Sequence, residues 1–277
     1  MKYRTSAALL VLSLLIPTAL HAGFAGTSLY IPVVGRAEGA NGAQYYSTLW
    51  ISNLSATQIA NVHVSFFQAG QSNSSPATRD YLLSPQETKR FDNVVQREFS
   101  RVGVLGGLRI TSDVNVVASA RTYELPLGAD IREAKGQVFN GIPREQSIAL
   151  GEKTILQGVS EGGSEDYRYN FGLMEVAGAA VAVRVTLKDP SGTTLGAKNY
   201  SLAAYQMSQA SVRDIFGSIA ATNAFLEAEV VAGSGSVIAY GSQNANGSQD
   251  PTGFEMSFRP VTAAAAGVRR GRLPPRR

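Results

Sequence analysis

Apolar and polar residues alternate through "NVHVSFF" (Asn61–Phe67), with Val62, Val64 and Phe66 on one parity and His63 and Ser65 on the other. A period of two predicts a half-buried strand whose valines face a core and whose histidine faces water. "AVRVTLK" (Ala182–Lys188) has the same pattern, with Val183, Val185 and Leu187 inward. Ahead of each lies another strand-like run. "YYSTLWISN" sets Tyr45, Leu49 and Ile51 on one side, and "YRYNFGLME" sets Tyr167, Phe171 and Leu173 in the matching places.

The period then changes. "KRFDNVVQREF" (Lys89–Phe99) and "MSQASVRDIF" (Met207–Phe216) align so that Val95, Glu98, Phe99 and Val102 fall on Val212, Ile215, Phe216 and Ile219. The spacing i, i+3, i+4, i+7 marks one face of a short helix, with Asp92 or Ser211 as its N-cap. Finally "LRITSDVNVVASARTY" aligns with "AEVVAGSGSVIAYGSQ", two strands about a tight turn at Asp113–Asn115 or Gly233–Gly235.

One succession of elements therefore occurs twice, at an offset of 122 near Tyr45 that falls to 117 at the helix, with Tyr81 answering Tyr200 between them. The length changes lie in hairpin loops, where insertions are tolerated, and "QAGQSNSSPAT" (Gln68–Thr78) is the longest of these. The pattern predicts an all-β chain of two tandem β-sandwich domains from an internal duplication, about 24–148 and 149–262, each with one short helix plugging an end.

The series "YIPVVGRAEGANG…STLWISN", "VHVSFF", the short-helix phrase, "LRITSDVNVVASARTY" and "GQVFNGIP" resembles a family of exported bacterial proteins built from tandem immunoglobulin-like sandwiches. The resemblance covers nearly the whole mature chain and implies an immunoglobulin-like fold with no assigned activity. More remotely, each half is similar to the small β-sandwich of sensory-rhodopsin-transducer proteins. Neither resemblance carries catalytic residues.

The ends alter the picture drawn from the middle. "MKYRTSAALLVLSLLIPTALHAG" has a basic start at Lys2 and Arg4, a short apolar run and small residues before Ala22. That is the layout of a signal peptide, so residues 1–22 are expected to be removed and the protein to be exported, to the periplasm or beyond the cell. Residues 263–277 include "GVRRGRLPPRR", with five arginines and two prolines, and are expected to form a disordered basic tail. The chain has 25 Lys+Arg against 21 Asp+Glu, but without the two basic residues of the leader and five of the tail the body has 18 against 21, a net of −3. Nucleic acid is therefore not an expected partner, and membrane contact is expected only through the tail. No cysteine is present, which removes disulfides, thiol catalysis and thiolate metal sites.

The body is poor in catalytic groups. His63 is its one histidine and lies on an outward parity, so a Ser–His–Asp triad has no evident base. "GVLGG" (Gly103–Gly107) lacks the lysine and following helix of a phosphate loop. Glu161, Glu165 and Asp166 in "SEGGSEDY" could form the carboxylate pair of a hydrolase, and that loop or "NANGSQD" (Asn244–Asp250) could offer oxygens to Ca2+. No other cofactor is expected.

The aromatic residues point elsewhere. Tyr46, Thr48 and Trp50 lie opposite the core parity, and their counterparts are Arg168, Asn170 and Gly172. Replacing a core tryptophan by glycine leaves a cavity costing on the order of 3–5 kcal/mol, so the pairing predicts that Trp50 faces outward. Tyr46 and Trp50, roughly 13 Å apart along a strand, become the candidate surface. It fits a protein partner or cell-surface polymer, with a scaffold role, or stacking on pyranose rings in a carbohydrate-binding role.

Overall fold

The computed structural model describes residues 24–39, 42–161, 167–217 and 221–258; the leader and the basic tail lie outside them. The protein is all-β, with sixteen strands and two short α-helices among the described residues. The first half holds β1 (Ala25–Glu38), β2 (Gln44–Asn53), β3 (Ala60–Gln68), β4 (Ala77–Leu83), β5 (Thr88–Phe91), α1 (Val94–Arg97), β6 (Val104–Glu124), β7 (Lys135–Asn140) and β8 (Ile142–Pro143). The second holds β9 (Lys153–Glu161), β10 (Tyr167–Glu175), β11 (Val181–Lys188), β12 (Thr194–Leu202), β13 (Met207–Ser211), α2 (Val212–Phe216), β14 (Ala221–Gly233), β15 (Val237–Ala245) and β16 (Pro251–Glu255).

β6 organises the first half. Its front stretch pairs with β3 (Phe66 opposite Leu108) and β1 (Ile31 opposite Leu108), and its rear stretch pairs with β2 (Leu49 opposite Ala120) and β7 (Ala120 opposite Phe139). Two layers, β4-β3-β6-β1 and β5-β2-β6-β7, thus share one long strand and form a single hydrogen-bonded sheet. The second half has the same order, β12-β11-β14-β9 and β13-β10-β15-β16, but as two separate sheets. Alternation sets the interior: Val62, Val64, Leu108 and Ile110 are buried, as are Val183, Val185, Leu226 and Ala228.

The turn predicted at Asp113–Asn115 is absent. The chain stays extended there and changes partners, with the register against β1 jumping between Thr111 and Val116. At the matching place the strand breaks after Gly233, whose φ of 97° suits glycine. Neither place is a hairpin, because β14 pairs with β9 and β11 while β15 pairs with β10 and β16. An apolar–polar pattern cannot distinguish a turn within a layer from a crossing between layers.

The helices are shorter than the spacing predicts. Val94, Val95 and Phe99 are buried, with the Phe99 ring 5.5 Å from that of Phe66, but Val102 lies beyond the helix and is exposed. Neither helix has a side-chain cap. Asn93, not Asp92, occupies the N-cap of α1, while Ser211 occupies that of α2 without a capping bond. Asp92 instead pairs with Arg90 at 2.7 Å and accepts from the Thr48 hydroxyl, because a nearby guanidinium attracts the carboxylate more strongly than an amide of a single helical turn.

The outer face of β13-β10-β15-β16 packs against the first half. Tyr30 donates its hydroxyl to the Val176 carbonyl at 2.9 Å, Phe67 meets Tyr205 at 5.0 Å between ring centres, and Phe139 meets Tyr240 edge-on at 5.3 Å. Gly107 permits the approach, since a Cβ there would lie 2.5 Å from the Met174 sulfur. The cores of the two halves merge into one apolar cluster through these contacts. The Gln68–Thr78 loop, predicted to be a tolerant insertion, is a clasp between halves. Gly70 N donates to Met207 O at 2.9 Å, and the buried Asn73 amide donates to Tyr205 O at 2.8 Å.

Candidate functional site

The open face of the β5-β2-β6-β7 layer carries Trp50 and Tyr46, both half-buried and on the parity opposite Leu49 and Ile51. The ladder pairing puts Trp50 between Arg90 and Ser119, Thr48 beside Arg121, and Tyr46 beside Tyr123. Each aromatic ring meets an arginine. The Arg36 guanidinium lies 4.4 Å from the Tyr46 ring centre, Arg121 lies 5.2 Å from Tyr123, and Arg90 lies 5.6 Å from Trp50. Tyr46 and Tyr123 are also stacked at 5.8 Å. A guanidinium over an aromatic face is held by the ring quadrupole and keeps N–H groups free at its edge. Tyr123 is buried and Arg90 is paired with Asp92, so the accessible part is the half-buried rings of Tyr46 and Trp50 with the guanidinium groups of Arg36 and Arg121 beside them. Thr48, between the two rings, is buried.

The glycine matched to Trp50 has a different setting from the one its parity suggests. Gly172 is buried, and a Cβ on it would lie 2.0 Å from Cε1 of Tyr240. Tyr240, from the neighbouring β15, fills the space, while Ser119 is the residue beside Trp50 in the first half. The face that holds Trp50 in one half is therefore covered in the other. Tyr45, expected in the core, is half-buried and its hydroxyl lies 3.5 Å from Arg168.

The other candidates are dispersed. His63 is exposed and its Nδ1 lies 2.6 Å from Asp80, on the outer side of β3 and β4. Glu161 is buried, accepts from the Tyr169 amide at 2.7 Å and lies 3.5 Å from Arg213, so it ties β9 to β10. Glu165 and Asp166 lie outside the described residues. The Asn244–Asp250 stretch is the turn from β15 to β16, and its Asn246 and Gln249 side chains accept from Arg168 at 2.9 and 2.7 Å. Among the described residues no three His, Asp or Glu side chains converge to hold a metal ion.

Sequence reasoning missed Glu175 and Asn53, which occupy matching positions at the ends of β10 and β2. The wholly buried Glu175 carboxylate accepts from the amides of Ala177, Gly178, Tyr205 and Ser236. The Asn53 amide donates to the carbonyls of Gln58, Leu83 and Ser84. Both organise turns around one end of a sandwich. The one available signal was a polar residue ending an otherwise apolar strand.

No family model matches the sequence, and no curated protein does. The crystal structure of Thermotoga maritima 1070 is similar to 45% of this chain and to 98% of its own, at 15% identity and a TM-score of 0.35, too remote to carry fold or activity across. No helix among the described residues is long and apolar enough to cross a membrane.

Proposed function

We propose that this chain is an exported, non-catalytic interaction and scaffold module, two immunoglobulin-like sandwiches derived from one by duplication. Its contact surface is the Trp50 face, which takes a protein or an acidic cell-surface polymer. The observation that carries this reading is the set of three ring–arginine pairs on one rigid sheet, Arg36–Tyr46, Arg121–Tyr123 and Arg90–Trp50. Tryptophan, tyrosine and arginine are the residues most enriched at binding hot spots, and a sheet holds them without ordering a loop. The correspondence of strand order between the halves supports the duplication.

A second reading is a carbohydrate-binding protein in which Tyr46 and Trp50 stack on sugar rings. Two aromatic side chains of outward parity on one strand favour it. The guanidinium 4.4 Å above Tyr46 weighs against it, because a pyranose would have to displace that cation.

Trp50 is the sole tryptophan, so its emission reports the face directly. With neutral soluble polysaccharides, the scaffold reading expects unchanged emission and quenching, whereas a shift with one neutral glycan would favour the second reading. A photo-crosslinking residue at the exposed Val138, beside Arg121 on the ladder, is expected to capture a defined partner in cells. The combined change Trp50→Ala and Arg90→Ala should abolish that capture. Undiminished capture by the double variant would sink the proposal.

A further inference from the structure

A cavity of about 310 Å³ lies between the two halves, within the size range of small-molecule sites. It is walled by β1, β2, β6 and β7 on one side and by β10, β13 and β15 on the other, and it shares no residue with the Trp50 face. Its polar lining has hydrogen-bonding capacity to spare, in one case at a buried atom. The Asn170 side-chain amide makes no hydrogen bond to any described residue. Gln209, an exposed residue, accepts from the Tyr240 hydroxyl through Oε1, and its NH2 group makes no hydrogen bond to another described residue. Gln137 donates to Ser242 Oγ at 2.9 Å while its Oε1 is buried with no partner among the described residues.

Arg168 adds a charge without a counter-charge. Its guanidinium donates to Asn246 Oδ1 and Gln249 Oε1 and lies near the Tyr45 hydroxyl, all neutral groups, and no carboxylate is within ion-pair distance among the described residues. A part-buried guanidinium with neutral partners favours an anion, preferably a planar carboxylate that its fork can match. Three carboxamides present donors and acceptors together, the arrangement that pairs with vicinal hydroxyls. Tyr45 supplies an aromatic wall, and the exposed Glu38 can accept a further hydroxyl at the mouth.

We infer that the inter-half cleft binds a small polyhydroxylated carboxylate, a single-ring sugar acid. The carboxylate lies on Arg168, the hydroxyls on the amides of Asn170, Gln209 and Gln137, and the apolar side of the ring on Tyr45. A neutral sugar leaves Arg168 unmatched, and a simple aliphatic acid leaves the amides unmatched. The site goes beyond the scaffold reading and stands or falls apart from it.

Calorimetric titration of the full chain with D-glucuronate, D-galacturonate and N-acetylneuraminate tests the inference, with D-glucose, D-galactose and acetate as controls. One-to-one binding of at least one sugar acid is expected, with the neutral sugars and acetate at least about tenfold weaker. Gln209→Ala and Asn170→Ala should each weaken binding about tenfold, and Arg168→Gln should weaken it more. Arg168 also holds the turn after β15, so the two amide variants decide the matter if the arginine variant misfolds. Trp50→Ala should leave the affinity unchanged; a loss there would move the binding to the open face and overturn the assignment. Failure of all three acids to bind, equal binding of neutral sugars, or full affinity in both amide variants would overturn it as well.

Discussion

The two halves share a strand order yet treat the same face in opposite ways. On β10 and β15 that face carries Met174, Gly172, Ile238 and Tyr240, all buried against the first half. On β2 and β6 the matching positions carry Ser52, Trp50, Val117 and Ser119, all half-buried. The outer side of the other layer is reversed. Tyr30, Phe67 and Gly107 serve contact in the first half, and their ladder counterparts in the second are Ile155, Lys188 and Phe225. Around those lie Lys153 and Lys188, each within 3.2 Å of Glu227. Strand order fixes where a side chain stands, and the residue at each outer position decides whether its face is contact or surface.

Truncation on the covered face gives the largest expected difference. Phe139→Ala removes a fully buried ring from the junction and should cost about 3–5 kcal/mol in chemical denaturation. Trp50→Ala on the open face should cost about 1 kcal/mol, mostly its contact with Arg90. Equal losses would mean that the open face is as load-supporting as the junction.

The turn organisers come next. Glu175→Ala strands four backbone amides and should cost about 3 kcal/mol or more, with faster amide exchange at Ala177, Gly178 and Tyr205. Asn53→Ala should loosen the turns at Gln58 and Leu83–Ser84 instead, with a loss of about 2 kcal/mol. Exchange that rose in both halves from either change would show the two ends to be one cooperative unit.

A pair of tyrosines gives the sharpest test, because the sign of the effect reverses between halves. Tyr81 donates its hydroxyl to Glu98, whereas the buried Tyr200 hydroxyl has no partner among the described residues and the position matching Glu98 is Ile215. Tyr81→Phe should therefore destabilise by about 1.5 kcal/mol, while Tyr200→Phe should be neutral or stabilise by about 1 kcal/mol. Burial pushes the Tyr200 phenol up to about 12, so the folded protein retains that proton more strongly than the unfolded chain. This contribution is complete below about pH 10, the unfolded value, and is lost as pH rises through 12. Thermal melts from pH 9 to 12 should fall less steeply for Tyr200→Phe than for the parent chain.

Local alternation made much of this fold legible. The parity of Val62, Val64 and Phe66, and the outward His63, follow from the strand period alone. What escaped reading depends on partners distant in the chain. Gly172 reads as an exposed position until Tyr240 is set beside it, and Glu175 reads as a strand end until amides from three other turns converge on it. The crossing at residues 112–115 was hidden because a strand that changes layers keeps its alternation throughout. At the candidate face, Tyr46 and Trp50 could be read from parity, but the arginines that accompany them come from β1, β5 and β6 and are brought together only by the ladder.

The junction joins unlike surfaces, one side of a sandwich to the opposite side of its neighbour, and so has no internal reason to stop. A third unit could in principle add at either end, as in a filament or a solenoid. The two outer faces differ in chemistry: lysines are matched to glutamates on one, and arginines lie over rings on the other. A partner for either face must therefore bring groups that satisfy those charges, whereas the junction asks mainly for apolar shape.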